Sequence, residues 1–400
     1  MTTKRVLFVP ATKRNADLLI LYALALKDEY ECLFLRTTLF GSVADAGEEP
    51  ANQGFRVVTD QFLLQNGGIR EFSRVRKQKQ LHGRYKSFLA ALQLDLIVIG
   101  WDNDSIGKWT SFVADEIQIP SLGCQEGSWT FSYAFPLKVR VKKLLLEFVS
   151  AIYYKPARYS KFYQNSVYVA VWGEFDKKQA IRHGALEKNV FVVGDPRQDP
   201  AKRNSDDARP FLENKTILYL DLPGLTLPKG TVNYAALQKF RARMVEIIDS
   251  KGYSLIYKVH PLTSEKEMKD VKEILSGKPR VNLVVQGIAE SFYKNVCACI
   301  TFPSTCIYTI LATGAPLIQI RPKFGLVDQY FWDPYVDCGA GINIESPEDI
   351  ESALEQIEKP AWKQAYLQKS KSAAMQIMGP DDGKAGQRFR QTVQTIFSNN

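Results

Sequence analysis

The sequence predicts two Rossmann-like α/β domains facing each other across a cleft. Three observations carry this: a length of 400 residues, short apolar runs alternating with helix-period stretches, and a polar break near the middle after which the alternation starts again. Four hundred residues exceeds one ordinary α/β domain and suits two. Strand-length runs of Val, Ile, Leu and Phe separated by helices are the mark of parallel sheets with helices on both faces.

In the first half the apolar runs place strands at Arg5 to Val9, Glu31 to Leu35, Leu94 to Gly100, Pro120 to Cys124, Ser166 to Val171 and Val190 to Val193. Helices fall between them, notably at Ala16 to Asp28, Arg84 to Gln93 and Asp176 to His183. The stretch DPRQDPAKRNSDDARP that follows holds prolines and charges that sustain neither strand nor long helix, so it reads as a linker. Strands resume at Thr216 to Leu222, Ser254 to Val259, Val281 to Val285, Ala298 to Thr301 and Pro316 to Ile320. Helices fit at Tyr234 to Ser250, Ile288 to Lys294, Cys306 to Ala312 and Pro347 to Glu358. The expected domains are therefore 1–197, 211–378 and a closing helix at 379–400 that packs back toward the first.

Composition narrows the class. Hydrophobic residues make up 45% of the chain, enough for real cores, so disorder is not expected. The 52 Lys and Arg against 43 Asp and Glu leave a formal charge of +9, which favours partners bearing phosphate or an anionic membrane surface. RNA- and DNA-binding motifs are absent, so nucleic acid is not the expected partner. The charged start MTTKRVLFVP leads into a strand-length apolar run and does not read as a signal peptide. The longest apolar stretch, Ala16 to Leu26, is too short to span a bilayer. Six cysteines at irregular spacing, three of them at Cys297, Cys299 and Cys306, lack a zinc-ligand layout and read as buried thiols of a reducing compartment. A cytoplasmic protein is expected. The segment Phe135 to Gln164 carries seven Lys or Arg and one acid among leucines and aromatics. Such a helix either lies in an anionic membrane interface, at the inner face of a plasma membrane, or covers a sheet edge with a solvated basic face.

Ligands of open parallel sheets bind beyond the C-terminal ends of the strands. Three places qualify. In SLIYKVHPLT, Lys258 and His260 lie two apart at a strand end closed by Pro261, where they would meet a phosphate or a leaving diphosphate; the plainer alternative is a histidine that bonds a loop carbonyl. In ITFPSTCIYTILATGAP, Ser304 or Thr305 caps a helix start whose free N–H groups form an anion site, or simply caps it. After the strand ending at Cys124 come Gln125 and Glu126. A carboxylate there could accept a proton from an attacking hydroxyl, or it could cap the next helix or be solvated. Asp102 and Asp104, after LIVIG, are the second choice of carboxylate. No Asp-x-Asp pair follows a strand in the second half, so no metal is expected and charge would be met by Lys258, His260 and helix dipoles.

VHP, then FPST followed by ATGAP, then DGKAGQRF together resemble the two-domain transferases of surface-polysaccharide synthesis, which have the GT-B fold. That group includes the CDP-glycerol glycerophosphotransferases and, more distantly, UDP-N-acetylglucosamine 2-epimerase. The stretch VYVAVWGEFDKKQAIRHGALEKNVFVVGDPRQD also resembles the end of that family's first domain, and the resemblance covers roughly Ser121 to Arg388. It implies that His260, Ser304 and Thr305 contact donor phosphates, that Asp382, Lys384 and Arg388 order the final helix, and that Glu126 stands at the base position. Many relatives carry Glu where this chain has Thr309, which puts the donor nucleotide or activity in question, and relatives that polymerise glycerol phosphate often carry His at the place of Glu126. Epimerases have a Gly-Gly and paired-Glu segment where this chain reads STCIYTIL, so their proton-moving carboxylates are missing. The expectation is a metal-independent glycosyltransferase needing no cofactor, with a CMP-, CDP- or UDP-linked sugar as co-substrate and a glycan or lipid-linked acceptor. A CDP-polyol phosphotransferase of teichoic-acid type and a non-catalytic glycan- or membrane-binding scaffold are the alternatives.

Overall fold

A computed structural model describes residues 3–10, 13–36, 48–59, 75–100, 105–126, 166–182, 184–198, 215–225, 232–285, 293, 295–302, 304, 306–321 and 340–399. The chain divides into two compact units, one formed by 1–127, 136–204 and 376–400, the other by 128–135 and 205–375. Each is built on a wholly parallel sheet.

The first unit holds β1 (Arg5–Val9), α1 (Lys13–Leu26), β2 (Glu31–Leu35), α2 (Glu48–Asn52), β3 (Arg56–Val58), α3 (Val75–Ala91), β4 (Leu96–Ile99), α4 (Ser105–Glu116), β5 (Ser121–Cys124), β6 (Tyr168–Val171), α5 (Glu174–Arg182) and β7 (Val190–Val192). Its seven strands run in the order β3-β2-β1-β4-β5-β6-β7. Alternate residues of β1 serve opposite faces. Val6 and Phe8 pack with α1, whereas Leu7 and Val9 pack with Tyr85 and Leu89 of α3 and Val113 of α4. A strand buried on both faces is apolar at nearly every position, and that is why the short hydrophobic runs were legible as parallel strands.

The second unit holds β8 (Thr216–Leu220), α6 (Tyr234–Ser250), β9 (Ser254–Lys258), α7 (Glu265–Leu275), β10 (Val281–Val284), β11 (Ala298–Thr301), α8 (Cys306–Thr313), β12 (Leu317–Ile320), β13 (Ile342–Ile344) and α9 (Asp349–Glu358). Strand order is β10-β9-β8-β11-β12-β13, so the order reverses between β8 and β11, the place where doubly wound sheets open a crevice for ligands. Asn233 caps α6 by accepting from Ala236 N, and Ser264 caps α7 by accepting from Glu267 N. Tyr219, Tyr257, Leu237 and Met244 lead the core on the α6 and α7 side. The long helix α10 (Pro360–Met378) begins in this unit and ends in the first, and the final helix α11 (Ala385–Asn399) belongs wholly to the first.

The final helix is tied to its unit at several points. Phe389 of α11 stacks on Tyr22 of α1 with centroids 4.1 Å apart, and Val393 and Ile396 join the same core. The link before α11 passes so close to the ends of β6 and β7 that side chains are excluded. A Cβ on Gly379 would lie 2.4 Å from Trp172 O and 2.9 Å from Gly194 Cα, and one on Gly173 would lie 2.2 Å from Gln376 O. Gly194 and Gly379 also hold φ of +86° and +82°, which favour glycine.

The strands expected from sequence match β1, β2, β4 to β12 within two residues at each end. The edge strands β3 and β13, three residues each, were not expected; RVV and INI each hold a polar residue in so short a run, unlike the equally short VFV of β7. Helix α7 was missed because EKEMKDVKEIL is mostly charged. The segment 135–164, most of the expected linker and the expected helix at 288–294 lie largely outside the described residues; Asp195 to Gln198, at the start of that linker, are described, and Asp195 is buried.

Candidate functional site

At the C-terminal edge of the second sheet, Lys258, Leu220 and Thr301 stand in register on adjacent strands β9, β8 and β11. Side chains two apart share a face of a strand, so Lys258 turns away from Tyr257 and toward the side where β11 runs into α8. Lys258 is buried, and its ammonium donates to Val259 O and, at 3.4 Å, to Val285 O. Burial pulls its pKa down and the nearby Cys306 at the start of α8 opposes that, which places this lysine within electrostatic reach of the helix start. Ser304 Oγ accepts from Cys306 N at 3.3 Å, so the hydroxyl caps α8. Thr305 lies outside the described residues, and Thr309 sits half-buried within α8.

His260 follows β9 and is half-buried. Its Nδ1 accepts from Leu262 N at 3.1 Å, which leaves the proton of a neutral ring on Nε2. Burial first, and the Lys258 charge second, push its pKa below the ordinary histidine value, with Glu267 opposing. A neutral imidazole with Nε2–H as donor is what the site presents at neutral pH. Beside Lys258, it offers an oxyanion donors held in place beforehand.

Beneath this edge lies a charge network that the sequence reading did not find. Arg241 of α6 is fully buried; its Nε donates to Asp221 Oδ1 at 3.0 Å and its Nη2 lies 2.8 Å from both Asp221 Oδ2 and Glu267 Oε1. Asp221, just past β8, also accepts from Tyr219 OH at 2.8 Å, Tyr257 OH at 2.9 Å and Leu222 N at 2.8 Å. Burial pushes its carboxyl above the usual carboxylate range, and Arg241 with these donors pulls it back. Arg241 Nη2 further donates to Leu222 O at 2.7 Å, while Nη1 has no partner among the described residues. Arg241 lies in RARMVEI and Glu267 in SEKEMKD, charged stretches in which nothing marks a buried residue. Asp221 follows an apolar strand run, and that position was the one available signal.

In the first unit, Glu126 is half-buried just past β5, and its carbonyl accepts from Arg197 Nη2 at 3.2 Å. Arg197 grips Asp195 through Nε and Nη2, both at 2.9 Å, and lies over the Trp172 ring at 4.8 Å. Gln125 is buried and spends both ends of its amide internally, Oε1 on Trp172 N at 2.8 Å and Nε2 on Asp176 at 2.9 Å. It braces β5 against β6 and α5, a packing task. Burial raises the Asp176 pKa to about 7, with the Gln125 bond opposing. Asp102 and Asp104 lie outside the described residues.

Arg388 Nη1 donates to both Asp382 oxygens, at 2.9 and 2.8 Å, and Arg388 Nε donates to Val193 O at 3.0 Å. Asp382 also accepts from the backbone N of Lys384 at 3.0 Å, while the Lys384 side chain is exposed. These residues fasten the start of α11 to the end of β7. Among the described residues no three His, Cys, Asp or Glu side chains come together in a way that could hold a metal ion, none of the five described cysteines is in a disulfide, and no helix is long and apolar enough to cross a membrane.

No protein-family model matches the chain, and no curated protein matches it. Solved structures do. A candidate UDP-N-acetylglucosamine 2-epimerase from Listeria monocytogenes superposes with a TM-score of 0.64 at 14% identity, over 100% of this chain and 98% of its own. The UDP-GlcNAc 2-epimerase of Methanocaldococcus jannaschii, solved with UDP-GlcNAc and UDP, gives 0.59 at 15% over 98% and 100%. A glycosyltransferase from Rickettsia africae gives 0.57 at 11% over 100% and 99%. At such identities the likeness shows the fold: two parallel-sheet α/β domains of the GT-B type, shared with nucleotide-sugar epimerases and glycosyltransferases. These structures carry the epimerase and glycosyltransferase side of the resemblance seen in sequence, and a tie to CDP-glycerol transferases is not among what they show.

Proposed function

We propose that the chain is a glycosyltransferase that moves a sugar from a nucleotide-activated donor to a cell-surface polysaccharide or lipid-linked glycan, without a metal ion. The observation that carries this reading is the set at the C-terminal edge of the second sheet: Lys258, a neutral His260 whose Nδ1 is already engaged by Leu262 N, and the Ser304-capped start of α8. Donor phosphates bind there, as nucleotides bind past strand ends at the reversal point of such sheets. The bond from the anomeric carbon to the phosphate oxygen breaks, the diphosphate keeps the electron pair, and His260, Lys258 and the α8 dipole stabilise the charge that develops. The acceptor hydroxyl gives its proton to Glu126 as it bonds the anomeric carbon. Asp382 and Arg388 act at a distance by holding α11.

The solved epimerases make isomerisation the competing chemistry of this fold, yet STCIYTIL offers no carboxylate pair to move a sugar proton. Thr309, in the place where relatives commonly hold a Glu, favours as a second reading a scaffold subunit that binds without turnover. The experiment is a panel of nucleotide sugars with release of free nucleotide measured in EDTA. Release of a nucleoside diphosphate supports the sugar transfer, CMP from CDP-glycerol supports the polyol phosphate route, and activity only with added Mn²⁺ removes the metal-free mechanism. Glu126→Gln should retain donor binding and lose turnover about a hundredfold or more; unchanged turnover would remove Glu126 from the base role.

A further inference from the structure

The turn after β8 is seated by an anion that belongs to the protein. Glu267 Oε1 accepts from Gly224 N at 2.9 Å and from Arg241 Nη2 at 2.8 Å, and Oε2 accepts from Leu225 N at 3.4 Å. Backbone N–H groups of a first strand-to-helix turn are the usual place for a phosphate in doubly wound sheets. Here a buried carboxylate fills that place, so these amides are already spent.

The same carboxylate is the third residue of α7, and a chain of bonds runs from it to His260. Ser264 Oγ accepts from Glu267 N at 3.3 Å, Met268 N donates to Ser264 O at 2.8 Å, Thr263 N donates to His260 O at 2.9 Å, and Leu262 N donates to His260 Nδ1 at 3.1 Å. The turn His260 to Ser264 is therefore short and held by two internal bonds, although Thr263 Oγ1 is buried without a partner among the described residues, and its far end is fixed where Arg241 holds Glu267. Ser264 and Glu267 have the spacing of a capping box, in which the acid would reach back to the cap residue's own N–H. Glu267 instead reaches across to the β8 turn and to Arg241. The diversion couples two neighbouring loops through one side chain.

We propose that Asp221, Arg241 and Glu267 are positioning residues that seat the β8 turn and orient His260, directing nucleotide phosphate to His260 and the Ser304 helix start instead of to the Gly224 and Leu225 amides. This rests on the reading of His260 as a phosphate contact. Asp221 locks Arg241 to the strand end, Arg241 holds Glu267 in place, and Glu267 aligns both loops. Glu267 also contributes electrostatically at His260, against Lys258.

Two variants test it from opposite sides. Glu267→Gln removes the charge and one acceptor while keeping the shape. Gly224→Ala leaves all three charges in place and crowds the turn against its seat, because the new Cβ would lie 2.5 Å from Leu237 Cδ2, 3.2 Å from Tyr234 Cδ2 and 3.4 Å from Glu267 Oε1. UDP is titrated into the full chain by calorimetry, and the imidazole signals of a ¹³C-histidine-labelled sample, in which only three histidines contribute, are recorded without ligand. Both variants should bind UDP at least tenfold more weakly and shift the His260 signal. Val271→Ala, a cavity variant buried further along α7, should lower the melting temperature and leave both readouts unmoved. Variants that bind UDP within twofold of the native chain with an unmoved His260 signal overturn the positioning role. So does a Val271→Ala chain that weakens binding equally. A native chain that fails to bind UDP sinks the nucleotide reading itself, a failure told apart by that first titration. Should Glu267→Gln not fold, Gly224→Ala decides the matter.

Discussion

Replacing Arg241 with Met keeps most of the side-chain volume and removes the one cation between two buried carboxylates. Breaking a buried ion pair by removing one partner costs about 3–5 kcal/mol, because an uncompensated charge stays behind. The lower end applies here, since Asp221 keeps Tyr219 OH, Tyr257 OH and Leu222 N, and Glu267 keeps Gly224 N and Leu225 N. For a unit of this size about 3 kcal/mol lowers the melting temperature by roughly 6–12 °C, read by differential scanning calorimetry at pH 7.5. The pH course has a definite sign. A carboxyl whose folded pKa lies above its unfolded value contributes stability at low pH that is lost as pH rises through the folded pKa. Asp221 is already raised by burial, and losing Arg241 raises it further. The deficit of Arg241→Met should therefore shrink as pH falls toward about 4, and adding Asp221→Asn and Glu267→Gln should recover part of it at pH 7.5. A melting temperature within 1 °C of native, or a deficit that grows on acidification, would refute the reasoning.

Two further consequences concern the first unit. Asp176, raised from 3.8 to about 7 by burial, gives stability that is complete below the unfolded carboxyl range and is lost as pH climbs through 7, a difference of about 4 kcal/mol at most; Asp176→Asn keeps an acceptor for Gln125 and should hold that stability at pH 8 in urea unfolding, whereas parallel pH curves for the two proteins would contradict it. Gly379→Ala should cost on the order of 2 kcal/mol and speed hydrogen exchange in α11, since its Cβ would strike the Trp172 carbonyl and the Gly194 Cα; unchanged exchange would show that the close crossing does not anchor that helix.

The strands were legible because parallel strands buried on both faces carry few polar positions to confuse the pattern, as Leu96–Ile99 shows. Lys258 and His260 were legible for a related reason: polar residues at the end of such a run, stopped by Pro261, lie where a strand leaves the core. Arg241, Asp221 and Glu267 were hidden because they are 20 and 26 residues apart in sequence and only the adjacency of β8, α6 and α7 brings them together. Gln125, a supporting residue beside Glu126 in the sequence reading, has both ends of its buried amide satisfied from within the fold, by Trp172 N and Asp176.

Titration of UDP in EDTA into the native chain and into His260→Ala tests the central claim most directly. Native protein should bind, and the alanine variant should lose at least tenfold in affinity at an unchanged melting temperature. Equal affinities, or a native chain indifferent to UDP and to every other nucleotide offered, would contradict a phosphate site at the end of β9.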